Sequence, residues 1–227
     1  MEEKYQKIKK IVEKESAWTD AGHDINHVIR VYDLCLKLAK NIENVDFEVL
    51  KLSALLHDIG RAKEQKDKFG KTCHAEESAK MAQKILKKFN YPQNEINEII
   101  HCILSHRYKT GVKPKTKEAK ILFDADKLES IGALGVARDF IWVGKNNAGM
   151  YAETNLKEYI KENLHGGEVN GRIKDKTKHN PFFEFELKSK QIPKKLHSQV
   201  AKRIAKERVY YMKSFFDRLK KEIKGKI

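Results

Sequence analysis

The feature that most constrains this chain is the spacing of its apolar residues. From His27 to Lys40, Val28, Val31, Tyr32, Cys35, Leu38 and Ala39 recur at three- and four-residue steps, which places them on one face of a helix. Three further helices are expected by the same pattern. One opens at Asp46, a good N-cap residue, runs through Leu56 and stops near Gly60, read as a left-handed C-cap. Another spans about His74 to Phe89, after a loop at Gly70, and the next runs from Gln93 or Asn94 toward His106. Beyond Gly111 and Pro114, a long helical stretch covers about Lys117 to Val143, where Gly132 and Gly135 signal close helix approach or a break. A turn at 144–149 and a helix over about Glu153 to Asn163 follow. The span 165–193, with Gly166, Gly167, Gly171 and Pro181, reads as a long surface excursion pinned by Phe182, Phe183 and Phe185, before a last helix over about 194–224. No strand pattern or internal repeat is evident, so the expectation is one all-α helical-bundle domain over 1–227.

Composition narrows the setting. No stretch approaches the ~20 apolar residues of a membrane span, and Met1-Glu2-Glu3-Lys4-Tyr5 lacks the apolar run of a secretory signal. The three cysteines have no CxxC spacing, as expected of reduced thiols in a cytoplasmic protein. A formal net charge of +15 favours anionic partners, from nucleotides to nucleic acid, without selecting one; a lysine-rich surface alone explains it equally well.

The chemistry is concentrated at Leu55-Leu56-His57-Asp58-Ile59-Gly60, an adjacent His-Asp pair ending an apolar helix. Such a pair is costly to bury unless hydrogen-bonded, paired or bound to a cation. A histidine satisfied by the helix C-terminus is the plain alternative. Upstream, His27 lies early in its amphipathic helix, with His23 and Asp24 about one turn before it. Downstream, Asp124 and Asp126 sit in the apolar run Ile121-Leu122-Phe123-Asp124-Ala125-Asp126-Lys127-Leu128. Two imidazoles and two carboxylates from separate helices suit a divalent ion of borderline softness.

In that order, these residues resemble the HD superfamily of metal-dependent phosphohydrolases. The likeness extends over about Asp20 to Phe140 and includes His74-Ala75-Glu76-Glu77-Ser78 and Ser105-His106-Arg107. It implies an HD-domain-like bundle with a metal-site core over about 20–140 and His27, His57, Asp58 and Asp126 as ligands. Mn²⁺ is the expected ion, with Fe²⁺, Ni²⁺, Zn²⁺ or Mg²⁺ as alternatives. A small bacterial subgroup that it also resembles includes nucleoside triphosphate pyrophosphohydrolases. That likeness implies cleavage of (deoxy)nucleoside triphosphates to monophosphate and pyrophosphate. Alternatives are a nucleoside monophosphate phosphatase, a cyclic-nucleotide phosphodiesterase (the Gly-Tyr-Pro signature of cyclic-dinucleotide enzymes is missing), or a non-catalytic metal-bound nucleotide or RNA sensor. Asp58, His74 and His101 are candidates for proton transfer; Arg61, Arg30, Lys127 and His23 are candidates for substrate binding. Asp24 and Asp124 could orient neighbouring histidines or ligands. His74, His101 and His106 are the residues from which a second ion would draw its ligands.

Overall fold

The computed structural model describes every residue except Met1, Asp20, Ala21, Asn41, Lys68, Phe69, Gly70 and Thr154. The expected Gly70 loop and the Asp20 edge of the family likeness therefore lie outside the described residues. Among the described residues the structure is helical, with one isolated antiparallel bridge between Leu164 and Ile173. No helix is long and apolar enough to cross a membrane. The chain forms two compact units, Met1–Asp126 and Lys127–Ile227.

The first unit contains α1 (Glu2–Ser16), α2 (Ile25–Ala39), α3 (Phe47–Leu56), α4 (Arg61–Lys66), α5 (His74–Lys88), α6 (Gln93–Ser105) and most of α7 (Lys117–Glu129). Helix α3 is its centre. From Val49 to Leu56 only Lys51 escapes burial, and a helix apolar nearly all round must be enclosed by others. Helices α2 and α6 pack against it, and α5 packs on α6. Asp46 starts α3 as expected, its Oδ1 accepting from the amides of Glu48 and Val49 at 3.0 Å each. Helix α1, which drew no expectation, contributes the buried Ile8 and Val12.

Gly60 departs from its expected role. Its φ is −88°, so it is no left-handed cap; it stands at the N-terminus of α4. Glycine is required there by contact. A Cβ would lie 2.5 Å from Ser78 N and 2.8 Å from Glu77 C, where the Gly60 amide donates to Ser78 Oγ at 2.9 Å.

In the second unit, α8 (Ala133–Lys145), α9 (Leu156–Asn163), α10 (Pro181–Leu187), α11 (Ile192–Lys195) and α12 (Gln199–Ile223) follow one another. The long stretch expected over 117–143 is broken between α7 and α8 at Gly132, whose φ of +84° a side chain rarely adopts. Arg208 Cγ lies 3.0 Å from the position of a Cβ there. The expected excursion is surface-lying over 165–178, but 181–195 is helical, with Phe183 and Phe185 buried. Phe183 stacks on Tyr159 at 4.1 Å and Phe185 meets Phe216 at 5.4 Å.

A buried polar network accompanies these aromatics. The Tyr159 hydroxyl lies 2.7 Å from His179 Nδ1, His179 Nε2 lies 3.0 Å from Glu184, and Lys188 donates to Glu184 at 2.8 Å. Asp139 on α8 is left with a buried Oδ2 that accepts no hydrogen bond. Burial first, then the Glu184 charge, pushes its carboxyl up to about 8.

Two stability tests follow from this packing. Gly60→Ala forces α4 and α5 apart and should cost about 3 kcal/mol in chemical denaturation; wild-type stability would contradict the close approach. For Asp139, the folded state retains a proton that the unfolded chain releases near pH 4, so the cost of this residue grows from there to about pH 8. Asp139→Asn should therefore melt several degrees above wild type at pH 8 and converge with it near pH 4.

Candidate metal centre

Helix ends build the site. His57 follows the last turn of α3 and His106 the last turn of α6. Each ring turns its Nδ1 back to the carbonyl three residues earlier, His57 to Ala54 O at 2.7 Å and His106 to Ile103 O at 2.5 Å. Donation to these carbonyls leaves Nε2 as a bare lone pair on both rings. His27, on the first turn of α2, brings its Nε2 to 3.4 Å from that of His57. His74 is the first residue of α5, and its Nε2 lies 3.2 Å from that of His106.

Asp58 stands between the two histidine pairs. Its Oδ2 lies 3.7 Å from His27 Nε2 and 4.0 Å from His57 Nε2. Its Oδ1 lies 3.3 Å from His74 Nε2 and 3.7 Å from His106 Nε2. That Oδ1 is buried and accepts no hydrogen bond. Asp126 Oδ1, on α7, completes the first group at 3.7 Å from His27 Nε2. Two sets of ligand atoms thus share one carboxylate: His27, His57 and Asp58, and Asp58, His74 and His106. The bare Nε2 of His57 and of His106 and the unsatisfied Asp58 Oδ1 are what a cation would use, so the donor set fits a divalent ion.

The Asp58 charge is compensated within this core. Burial alone would raise the Asp58 carboxyl, but Arg61 and the histidines outweigh it and hold it well below the usual range. Arg61 donates to Asp58 Oδ2 through Nε at 3.0 Å and Nη2 at 2.8 Å. Glu64 was not anticipated. It lies 2.6 Å from His74 Nδ1, accepts from Arg107 at 2.6 Å and from Arg61 at 3.2 Å. Its carboxyl is lowered because these partners outweigh burial. Nothing in Arg61-Ala62-Lys63-Glu64-Gln65-Lys66 distinguished Glu64 from a solvated charge; only the meeting of α4 with His74 does.

The other candidates separate. His74 enters the cluster, whereas His101 does not: it is half-exposed and its Nε2 accepts from the Lys115 amide at 3.1 Å. Five residues apart on a helix, His101 and His106 face different directions. His23 lies beside His27, with ring centroids 5.7 Å apart. Asp24 caps α2, its Oδ1 accepting from the His27 amide at 3.1 Å, so the orientation expected of it acts on the backbone. Asp124 is buried, while Arg30 and Lys127 are half-buried along α2 and α7. Arg61, a candidate for substrate binding, lies at the cluster and donates to Asp58 and Glu64.

The HD domain family model matches residues 24–131, the span from the cap of α2 to just beyond α7. Residues 24–131 are an HD domain. This HD protein is 27% identical to YpgQ of Bacillus subtilis over 209 residues, 90% of this chain and 86% of YpgQ. The Lin1889 protein of Listeria innocua superposes with a TM-score of 0.69 at 26% identity, covering 98% of this chain and 97% of that one. An HD-superfamily hydrolase of Bacillus thuringiensis gives 0.68 at 23%, covering 98% of each chain. YpgQ has been solved in complex with ADP, and that structure matches with a TM-score of 0.67 at 23% identity over 98% of this chain and 100% of YpgQ.

The cluster makes acid stability testable without metal. His57, His74 and His106 are each held below the ordinary histidine value, burial being the first cause in all three. The unfolded chain takes up protons near pH 6.5 that the folded rings resist, so stability is lost as pH falls below that value. Metal-free protein, in an Asp139→Asn background to remove the opposing slope, should lose several degrees of Tm between pH 7 and 5. A level Tm would contradict the burial of neutral rings.

Proposed function

We propose that this HD protein hydrolyses nucleoside or deoxynucleoside triphosphates to monophosphate and pyrophosphate with Mn²⁺. The observation that carries the reading is Asp58, buried between two histidine pairs with one oxygen unsatisfied. His27, His57, Asp58 Oδ2 and Asp126 would hold the ion. When bound, it supplies Lewis acidity for a phosphoryl oxygen and for the attacking water. Asp58 Oδ1 would accept a hydrogen bond from the attacking water and orient it, and His74 Nε2, 3.3 Å away, would take its proton. Glu64 at His74 Nδ1 stabilises the imidazolium so formed. Arg61 and Arg107 place two guanidiniums beside His74, within 2.8 and 2.9 Å of its Nδ1, where positive charge favours a phosphate chain. The net charge of +15 draws anions toward the protein. ADP bound by the related YpgQ supports a nucleotide as the ligand class.

The deciding assay incubates the purified protein with Mn²⁺ and a nucleotide panel and resolves pyrophosphate from orthophosphate. Pyrophosphate with an equal amount of monophosphate is expected. Asp126→Ala should lower the rate by more than about 100-fold, the upper figure for a residue one step removed from the metal. Orthophosphate released from monophosphates would replace this reading with the nucleotidase. Turnover unaffected by Asp126→Ala would remove the metal assignment.

A further inference from the structure

We propose that Tyr108 is the platform on which the base of a bound nucleotide stacks, an inference that rests on the nucleotide reading above. Tyr108 opens a short 3-10 turn, Tyr108–Thr110, immediately after Arg107. Arg107 reaches into the cluster to Glu64, and so fixes the start of the turn at the site. Its other end is tied down by Thr110 Oγ1, which donates to Leu104 O at 2.7 Å and Arg107 O at 2.9 Å. The Tyr108 ring meets Phe123 at 5.1 Å and 84°. Phe123 is buried and stands one helical turn before Asp126, so the ring is braced against the segment of α7 that carries that carboxylate. Burial, then the charges of Asp126 and Asp124, push the Tyr108 hydroxyl up, in keeping with that placement.

Despite this bracing, Tyr108 is 52% exposed. An aromatic ring braced by Phe123 at one edge of a polar site, and half exposed, can take a base against its surface at little cost in ordering. A purine or pyrimidine can use it whatever its hydrogen-bonding edge. Other exposed aromatics of the same unit are placed differently. Phe47 begins α3, at the opposite end from His57, and Trp18 has the Lys66 ammonium over its ring at 5.5 Å. Among the described residues of this unit, Tyr108 is the exposed aromatic seated on the Asp126 helix. A phosphate chain at Arg61 and Arg107 would bring its nucleoside end within reach of the residue that follows Arg107.

Calorimetric titration with Mn²⁺ tests this, using ADP and inorganic pyrophosphate on the wild type, Tyr108→Ala, Tyr108→Phe and Tyr108→Trp. Loss of the ring should weaken ADP about tenfold and leave pyrophosphate within about twofold, while Phe and Trp bind ADP nearly as wild type does. Unchanged ADP affinity in Tyr108→Ala overturns the proposal. So does an equal loss for both ligands, which assigns the residue to the site's architecture, or a Phe variant as weak as Ala, which assigns the effect to the hydroxyl. If wild type cleaves no triphosphate yet the selective loss of ADP is found, the platform stands and the reaction falls. If wild type binds no ADP, the platform falls, whatever ester the protein hydrolyses.

Discussion

A carboxylate buried at the end of an apolar helix governs this structure. Asp58 is 4% exposed, and a charge in that position is tolerated only if both of its oxygens face compensating groups. Arg61 meets one oxygen and two imidazole pairs surround both. The demand reaches well beyond the site: α3 must end, α4 must begin, α5 must begin and α6 must end with a side chain within 4.0 Å of a single carboxylate. Gly60 is the price of that convergence, because only a residue without Cβ lets the α4 start approach Ser78. Three of the buried histidines, His57, His74 and His106, are pinned through Nδ1 and turn Nε2 inward.

Helix ends also explain why two rings from different parts of the chain are set in the same way. The last carbonyls of α3 and α6 have no amide to accept from within their helices. His57 and His106 each supply a donor, and in doing so fix their own tautomer and direction. An orphan backbone acceptor and a ligand in need of orientation are satisfied by one hydrogen bond. His74 cannot use this device, because it opens a helix rather than closing one. A carboxylate is needed instead, and Glu64 provides it from α4, which starts three residues after Asp58 and keeps Glu64 and Arg61 together.

What the sequence revealed follows from the range of the interactions involved. The periodic apolar faces of α2, α3, α5 and α6 were legible because each is local, and so was the His-Asp doublet. His101 was preferred to His106 for proton transfer, and no pattern within α6 could say which side its last turn would face. Glu64 lies in a charged run like many others in this chain, and becomes distinctive only when His74 arrives from ten residues away. Gly132 announced either a close approach or a break, and it is both: a φ of +84° ends the helical path and Arg208 packs over the glycine. The folding-back of 181–195 was hidden by the glycines and charges before it, though its phenylalanines were the correct sign of burial.

The electrostatics of the site bear on how a substrate could be admitted. Asp58, Glu64 and Asp126 lie in the cluster, against the guanidiniums of Arg61 and Arg107, so these carboxylates outnumber the two guanidiniums by one. His57, His74 and His106 do not close that gap near neutral pH, because burial keeps them below their ordinary values. A polyphosphate approaching this local field alone would meet repulsion, even though the protein as a whole carries +15. One divalent cation would offset the excess, after which the local charge no longer opposes the basic protein as a whole in drawing an anion. On the proposed nucleotide hydrolysis, this arrangement would favour an order in which the cation is bound before the phosphate, tying affinity for the anion to the charge of the ion already held.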